Sequence, residues 1–269
     1  IINMKKAYSI NPNAPFIYGD IIHEKTKMCD WSDFDKEIHK MKEKIDNNEK
    51  VLAPFVATTL FDSPELQLKV SERWINGNEI NVNDYVTSEK KNKKIKIGYF
   101  SAEFRSHAMG YLMNRIYDLH DRSTFELYGF YFGPAINHKD KLQKKIIDSF
   151  DRFIDVSQFK DTEIFKLSRE IGIDIGIDLM GHTGGNTNRF TIFQKKIAPI
   201  QICFLGFPCT TGSKSIDYLI ADKIVIPKKF QKFYTEKIIY LPDVYQPNEE
   251  LKNLANHFEN KKSVGLPEG

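Results

Sequence analysis

Apolar and polar positions divide the chain into two regimes. Up to Trp74 the apolar residues recur at intervals of three and four. Phe34, Ile38, Met41 and Ile45 make one stripe among charged neighbours, which predicts an amphipathic helix. Phe16, Ile17, Ile21, Ile22 and Met28 predict another over residues 15–30, and Trp31-Ser32-Asp33 then offers an N-cap for the next. Residues 1–13 read as a helix running into an Asn-Pro stop, and Ser63-Pro64-Glu65 opens a helix with proline in its first turn. After residues 87–94 (TSEKKNKK), a polar and unpatterned stretch read as a linker, the period changes. Short apolar runs at 95–100, 125–132, 153–156, 173–179, 199–205, 216–221 and 238–241 predict strands. Amphipathic segments at 110–120, 139–150 and 163–171 alternate with them. That alternation predicts an α/β fold with a parallel, doubly wound sheet and right-handed crossovers. The expected organisation is an all-α region over 1–86 and a Rossmann-like unit over 95–269.

Two predicted strands run into loops rich in small residues. One is Gly181-His182-Thr183-Gly184-Gly185-Asn186, the other Gly206-Phe207-Pro208-Cys209-Thr210-Thr211-Gly212. In a parallel sheet both fall on the carboxyl edge, where open α/β sheets bind ligands. Their glycines allow a ligand to approach the backbone, or simply satisfy the left-handed angles of tight turns; both readings stand. A third loop, 101–107, leaves the first strand and brings His107 to a helix N-terminus. The positive end of a helix disfavours an imidazolium, so His107 is expected as a neutral ring able to accept a proton, or else as a cap of its own loop. Asp174, Asp178 and Asp217 lie in strand runs and read as paired or solvated at strand ends. The sequence contains no GxGxxG, HExxH, GxSxG or P-loop pattern.

Composition adds modest limits. The 269 residues suit two folded units, and a net charge of +3 is too small to argue for nucleic acid or membrane as partner. Three cysteines without metal-ligand spacing fit a reducing, cytoplasmic setting and no structural metal. A start at Ile1 and an end at Gly269 just after a Leu-Pro-Glu turn read as cuts from something longer.

The strings IKIGYFSAEFRSHAMGYLM, IDLMGHTGGNTNRFTIFQKKIAPIQICFLGFPCTTGSKSIDYLIAD and YTEKIIYLPDVYQPNE closely resemble the catalytic region of protein O-linked N-acetylglucosamine transferases and the related SPINDLY-like proteins. Upstream, NPNAPF and CDWSDFD resemble the end of the tetratricopeptide array and the helical joint of bacterial members. The resemblance implies a GT-B fold, with residues 95–269 as its N-terminal lobe and the C-terminal lobe absent. It implies inverting transfer of N-acetylglucosamine, or fucose, from a nucleotide sugar such as UDP-GlcNAc to Ser or Thr hydroxyls of a protein or peptide, with no cofactor and no obligatory metal. His107 matches the motif histidine that faces sugar and acceptor; His182 and Thr183 fall on a GHTxGN block, and Pro208, Thr210 and Thr211 on a GYPGTTG block. The resemblance thus makes His107 and His182 catalytic candidates, and Thr183, Asn186, Pro208, Thr210 and Thr211 substrate-binding ones. Phe207 departs from the usual tyrosine, Cys209 from glycine, and Lys196-Ile197 from Arg-Pro. For Cys209 a negative φ is expected. Most nucleotide contacts of the family lie in its second lobe, so these residues alone are expected to be inactive. The competing reading is a non-catalytic scaffold of helical repeats and an α/β lobe that binds peptides.

Overall fold

The computed structural model describes residues 1–75, 94–248 and 260–267. Residues 87–93 of the predicted linker, and with them the expected boundary, lie outside the described residues.

The first described stretch is helical: α1 (Ile2–Ile10), α2 (Ile17–Lys27), α3 (Phe34–Asp46), α4 (Pro54–Leu60) and α5 (Pro64–Ile75). The α3 stripe turns inward, and Met41 and Ile45 are fully buried against Tyr18, Ile22, Leu52, Ala57 and Val70. Burying such side chains contributes on the order of 1.5–3 kcal/mol each, which outweighs the indifferent helix propensity of so charged a segment. The start of α3 and the presence of α4 add to the sequence reading. Asp33 does occupy the N-cap of α3, but its backbone is left-handed (φ 56°) and its side chain makes no capping bond. Side-chain capping needs an extended N-cap backbone; here Asp30 instead accepts the Ser32 N–H at 3.0 Å. Helix α4 was not anticipated, because its sequence PFVATTL shows no polar stripe.

The second stretch is one sheet of seven parallel strands: β1 (Ile95–Ser101), β2 (Phe125–Tyr131), β3 (Arg152–Asp155), β4 (Ile175–Asp178), β5 (Ile200–Phe204), β6 (Tyr218–Ala221) and β7 (Lys237–Tyr240). Their order is β3-β2-β1-β4-β5-β6-β7. Helices α6 (Ala108–Leu119) and α7 (Lys141–Asp148) cover one face through Met113, Tyr117 and Ile146. Helices α8 (Asp161–Ile171) and α9 (Thr191–Gln194) cover the other through Ile164, Ile192 and Phe193. The Phe100 and Phe130 rings stack there with centroids 4.4 Å apart. Trp74 and Ile75 of α5 join this second core, so the helical stretch packs directly on the α/β unit.

The order of strands fixes where a ligand can sit. From β1 the chain winds outward to β2 and β3, then returns to place β4 on the other side of β1. The loops after β1 and β4 therefore diverge over a crevice at the carboxyl edge, the point at which open α/β sheets take their ligands. The loop after β5 stands next in line.

Candidate functional site

His107 is delivered by the β1–α6 loop. It is the N-cap residue of α6, with an extended backbone, and its Nδ1 accepts the Met109 N–H at 3.3 Å. The capping reading of this histidine is thus realised. Its side chain nevertheless stays 41% exposed, and the contacts of its ring among the described residues are made through Nδ1. Glu103 lies one helical turn earlier in sequence; its Oε2 is 3.7 Å from His107 Nδ1 and 2.6 Å from an Arg105 guanidinium nitrogen. The loop is drawn hard against α6: a β-carbon on Gly110 would stand 2.0 Å from the Arg105 carbonyl oxygen.

The β4–α9 loop begins at Asp178, whose carboxylate is fully buried. Oδ1 accepts the Met180 and Gly181 N–H groups at 2.8 and 3.0 Å, whereas Oδ2 has no hydrogen-bond partner among the described residues. Burial pushes this carboxyl up to about 6, and the two backbone donors pull it back only in part. His182 follows. Only 7% exposed, it is enclosed by Phe190, Phe207 and Trp74 with ring centroids 4.4, 5.2 and 6.4 Å away. Burial depresses its imidazole to about 4, against a smaller opposing effect of the Thr211 carbonyl. A neutral ring must then carry its proton on Nε2, which donates to Thr211 O at 2.7 Å. Among the described residues Nδ1 has no hydrogen-bond partner. In this geometry His182 is a strut between two loops, its ring enclosed and its one proton donated to Thr211 O.

The substrate-binding candidates also divide. Thr183 donates its hydroxyl to Met180 O at 2.6 Å, tying its own loop. Asn188, which the sequence did not single out, donates to the carbonyls of Gly181 and Thr183, both at 2.7 Å. Asn186 lies in the 3-10 turn Gly185–Thr187, and its side chain is outside the described residues. Gly181 (φ 54°) faces the neighbouring loop; a β-carbon there would meet that of Phe207 at 2.4 Å. Gly185 alone of this loop's glycines has open space around it. In the β5–β6 loop Pro208 is exposed at the crest. Thr210 and Thr211, in contrast, are fully buried. Both hydroxyls donate to the carboxylate of Glu236, that of Thr210 at 2.7 Å, and the Thr211 N–H adds a third bond at 2.7 Å. The hydroxyls are thus engaged by a carboxyl group 25 and 26 residues further along the chain.

Cys209 is not among the residues with positive φ, as expected. Burial pushes its thiol up to about 12, so it is a neutral S–H, and it donates to Gln67 Oε1 of α5 at 3.3 Å. Cys209→Gly should therefore destabilise the fold by about 1–2 kcal/mol, through added chain entropy and the lost buried sulfur. Thermal melts of the two proteins check this, and a higher midpoint for the glycine variant would contradict it.

Asp178 and His182 also predict a pH signature. The native carboxyl at about 6 holds its proton above the unfolded value of 3.8, so stability falls as pH rises from 4 to 6. The native imidazole at about 4 holds its proton less tightly than the unfolded 6.5, so stability falls as pH drops from 6.5 to 4. Each slope is on the order of 2–3 kcal/mol across its window, and the two oppose. Asp178→Asn should remove the first and leave a steep loss of stability below pH 6.5; denaturant midpoints at pH 4.5 and 7.5 that shift in parallel for both proteins would refute the assignment.

Among the described residues no three His, Cys, Asp or Glu side chains converge on a point that would hold a metal ion. No described helix is long and apolar enough to cross a membrane.

Comparison with known proteins places this edge in a lineage. The description of glycosyl transferase family 41 matches residues 74–266, a span that holds all three loops. The chain is 30% identical over 271 residues to the probable UDP-N-acetylglucosamine–peptide N-acetylglucosaminyltransferase SEC of Arabidopsis thaliana, covering 92% of this chain and 27% of that protein. It is 28% identical to the UDP-N-acetylglucosamine–peptide N-acetylglucosaminyltransferase of Caenorhabditis elegans, covering 81% and 20%. The chain thus spans about a quarter of the length of these relatives. An O-GlcNAc transferase variant of Thermobaculum terrenum superposes with a TM-score of 0.71 at 23% identity, over 94% of this chain and 49% of that one, which establishes a shared fold. With more than half of its residues inside the family match, the chain belongs to glycosyltransferase family 41.

Proposed function

We propose that this chain forms the N-terminal lobe of an enzyme that moves N-acetylglucosamine from UDP-GlcNAc to Ser or Thr hydroxyls of protein acceptors. Alongside family membership, one observation carries the reading: of the two candidate histidines, His107 alone is partly exposed, and it stands at the crevice between the diverging β1 and β4 loops. The nucleotide sugar is substrate, and the reading requires no cofactor or metal. The helical stretch is read as the end of a tetratricopeptide array, and the free cysteines suit a cytoplasmic enzyme.

In an inverting transfer the acceptor oxygen attacks the anomeric carbon opposite the departing UDP. Its proton passes to a base, and the breaking C–O bond leaves its electron pair on the diphosphate. His107 can serve in two tautomers. With the cap bond to Met109 kept, its proton is on Nε2 and the ring donates to a sugar or acceptor oxygen. With the proton on Nδ1, directed at Glu103, Nε2 is free to take the acceptor's proton. Either way Nε2 is the working atom.

His107→Ala should lower kcat roughly 100-fold in the intact polypeptide that carries these residues, followed as transfer of labelled N-acetylglucosamine to a peptide. A near-normal rate in a folded variant would reduce His107 to a helix cap and overturn the reading.

A further inference from the structure

We infer that Asp140, at the start of α7, is a positioning residue for His107, acting through Ser106. The inference rests on the role given to His107 above. Strands β1 and β2 are neighbours, so the loops that follow them stand side by side at the carboxyl edge. Asp140 belongs to the second of these loops and is the N-cap of α7, where Oδ1 accepts the Leu142 and Gln143 N–H groups, both at 3.0 Å. Those two bonds complete an ordinary cap. Asp140 makes two more, to the residue immediately before His107. Its Oδ2 accepts the Ser106 N–H at 2.7 Å, and its Oδ1 accepts the Ser106 hydroxyl at 2.7 Å.

A second grip lies one turn along α7. Gln143, buried and only three residues beyond Asp140, donates through Nε2 to Phe104 O at 3.0 Å and accepts the Asn137 N–H at 2.6 Å. Residues 104 and 106 of the His107 loop are thus both fastened to the first turn of α7. Behind them the loop cannot retreat, since the Arg105 carbonyl already fills the space beside Gly110. The His107 ring accepts a 3.3 Å bond from its own helix and has Glu103 Oε2 3.7 Å from the same nitrogen. The direction in which Nε2 points is therefore set by Ser106, and Ser106 by Asp140. A displacement of about 1 Å at a reacting group can cost on the order of 100-fold in rate.

The test is a set of variants in the intact polypeptide, assayed with UDP-GlcNAc and a peptide well below each melting midpoint. Asp140→Ala should lower kcat at least about 10-fold while the KM for UDP-GlcNAc stays within about 2-fold. Asp140→Asn, which keeps an acceptor oxygen, should recover part of the loss. Ser106→Ala leaves the α7 cap intact and should lower kcat by about 3-fold even where Asp140→Ala folds poorly. Combined with His107→Ala, Asp140→Ala should add almost nothing, because its effect runs through the missing ring. Normal kcat in folded Asp140→Ala and Ser106→Ala variants, with His107→Ala impaired, would overturn this inference alone. So would a double-variant loss equal to the product of the single ones. Normal turnover in His107→Ala would instead remove the functional reading, and this inference with it.

Discussion

Glu236→Ala should lower the melting midpoint by roughly 10 °C, the equivalent of about 3–5 kcal/mol for a chain of this size. Glu236 is only 5% exposed, and it sits just ahead of β7. Its carboxylate receives the Thr210 hydroxyl, the Thr211 hydroxyl and the Thr211 N–H. Alanine would strand three buried donors at once, each at a cost of about 1–3 kcal/mol if no other acceptor is found. Water could relieve part of that cost only by opening the loop, because Thr210 and Thr211 are themselves fully buried. Glu236→Gln separates charge from shape. Its amide oxygen can keep one side of the cluster, but its NH2 group would face a donor, so an intermediate loss of about 1–2 kcal/mol is expected. The damage should also reach the next loop, since Thr211 O is the acceptor for His182. Loss of that bond would raise the imidazole's mobility, visible as a changed His182 side-chain resonance. A Glu236→Ala protein that melts within about 2 °C of the parent would show that the buried carboxylate does not hold the loop.

How much of this was legible in the sequence depends on the range of the interaction involved. Strands β1 to β7 announce themselves as short apolar runs, because parallel strands covered on both faces leave little room for polar residues. The α3 stripe is equally plain. Helix α4 escaped because both of its flanks and most of its surface are apolar or small, leaving no period to detect. At the site, the position of His107 after β1 and before α6 followed from local order alone. The duties of Asp178, Asn188, Glu236 and Asp140 did not follow. Asp178 does end β4, but instead of being solvated it is buried, with Oδ1 paired to two backbone N–H groups and Oδ2 without a partner among the described residues. Glu236 acts on a loop 25 residues away and Asp140 on one 34 residues away. Such pairings come into being only when the sheet brings separate loops to one edge. For the same reason the sequence does not show that Gly181 and Gly206 serve the close approach of the two loops, or that Thr210 and Thr211 bond Glu236.

Gly206→Ala is the sharpest probe of that contact, and its expected cost is about 3 kcal/mol or more. A β-carbon at this position would lie 1.8 Å from the Leu179 carbonyl oxygen and 2.7 Å from the Leu179 carbonyl carbon. Both obstacles are backbone, so no rotamer change can make room. Leu179 is the residue directly after β4, and its N–H is bonded to Phe100 O of β1 at 3.1 Å, so the obstacle is tied to the centre of the sheet. On the other side Leu205 already holds a left-handed backbone (φ 66°), and the Gly206 N–H turns back to Phe204 O at 2.8 Å. The β5 loop would have to swing away from the β4 loop as a body. That motion would pull Phe207 off Gly181 and stretch the His182–Thr211 bond, which together close the two loops on each other. The melting midpoint should fall by roughly 6–12 °C. Rapid amide exchange should appear at Gly181 and Thr211 while the strands stay protected. Gly185→Ala supplies the control: it carries a left-handed φ of 50° but has nothing within 4 Å of a new β-carbon, so only backbone strain of about 1 kcal/mol is expected. Gly206 is not among the glycines with positive φ, so a loss there no larger than at Gly185 would mean that close approach of the two loops is not what this glycine provides.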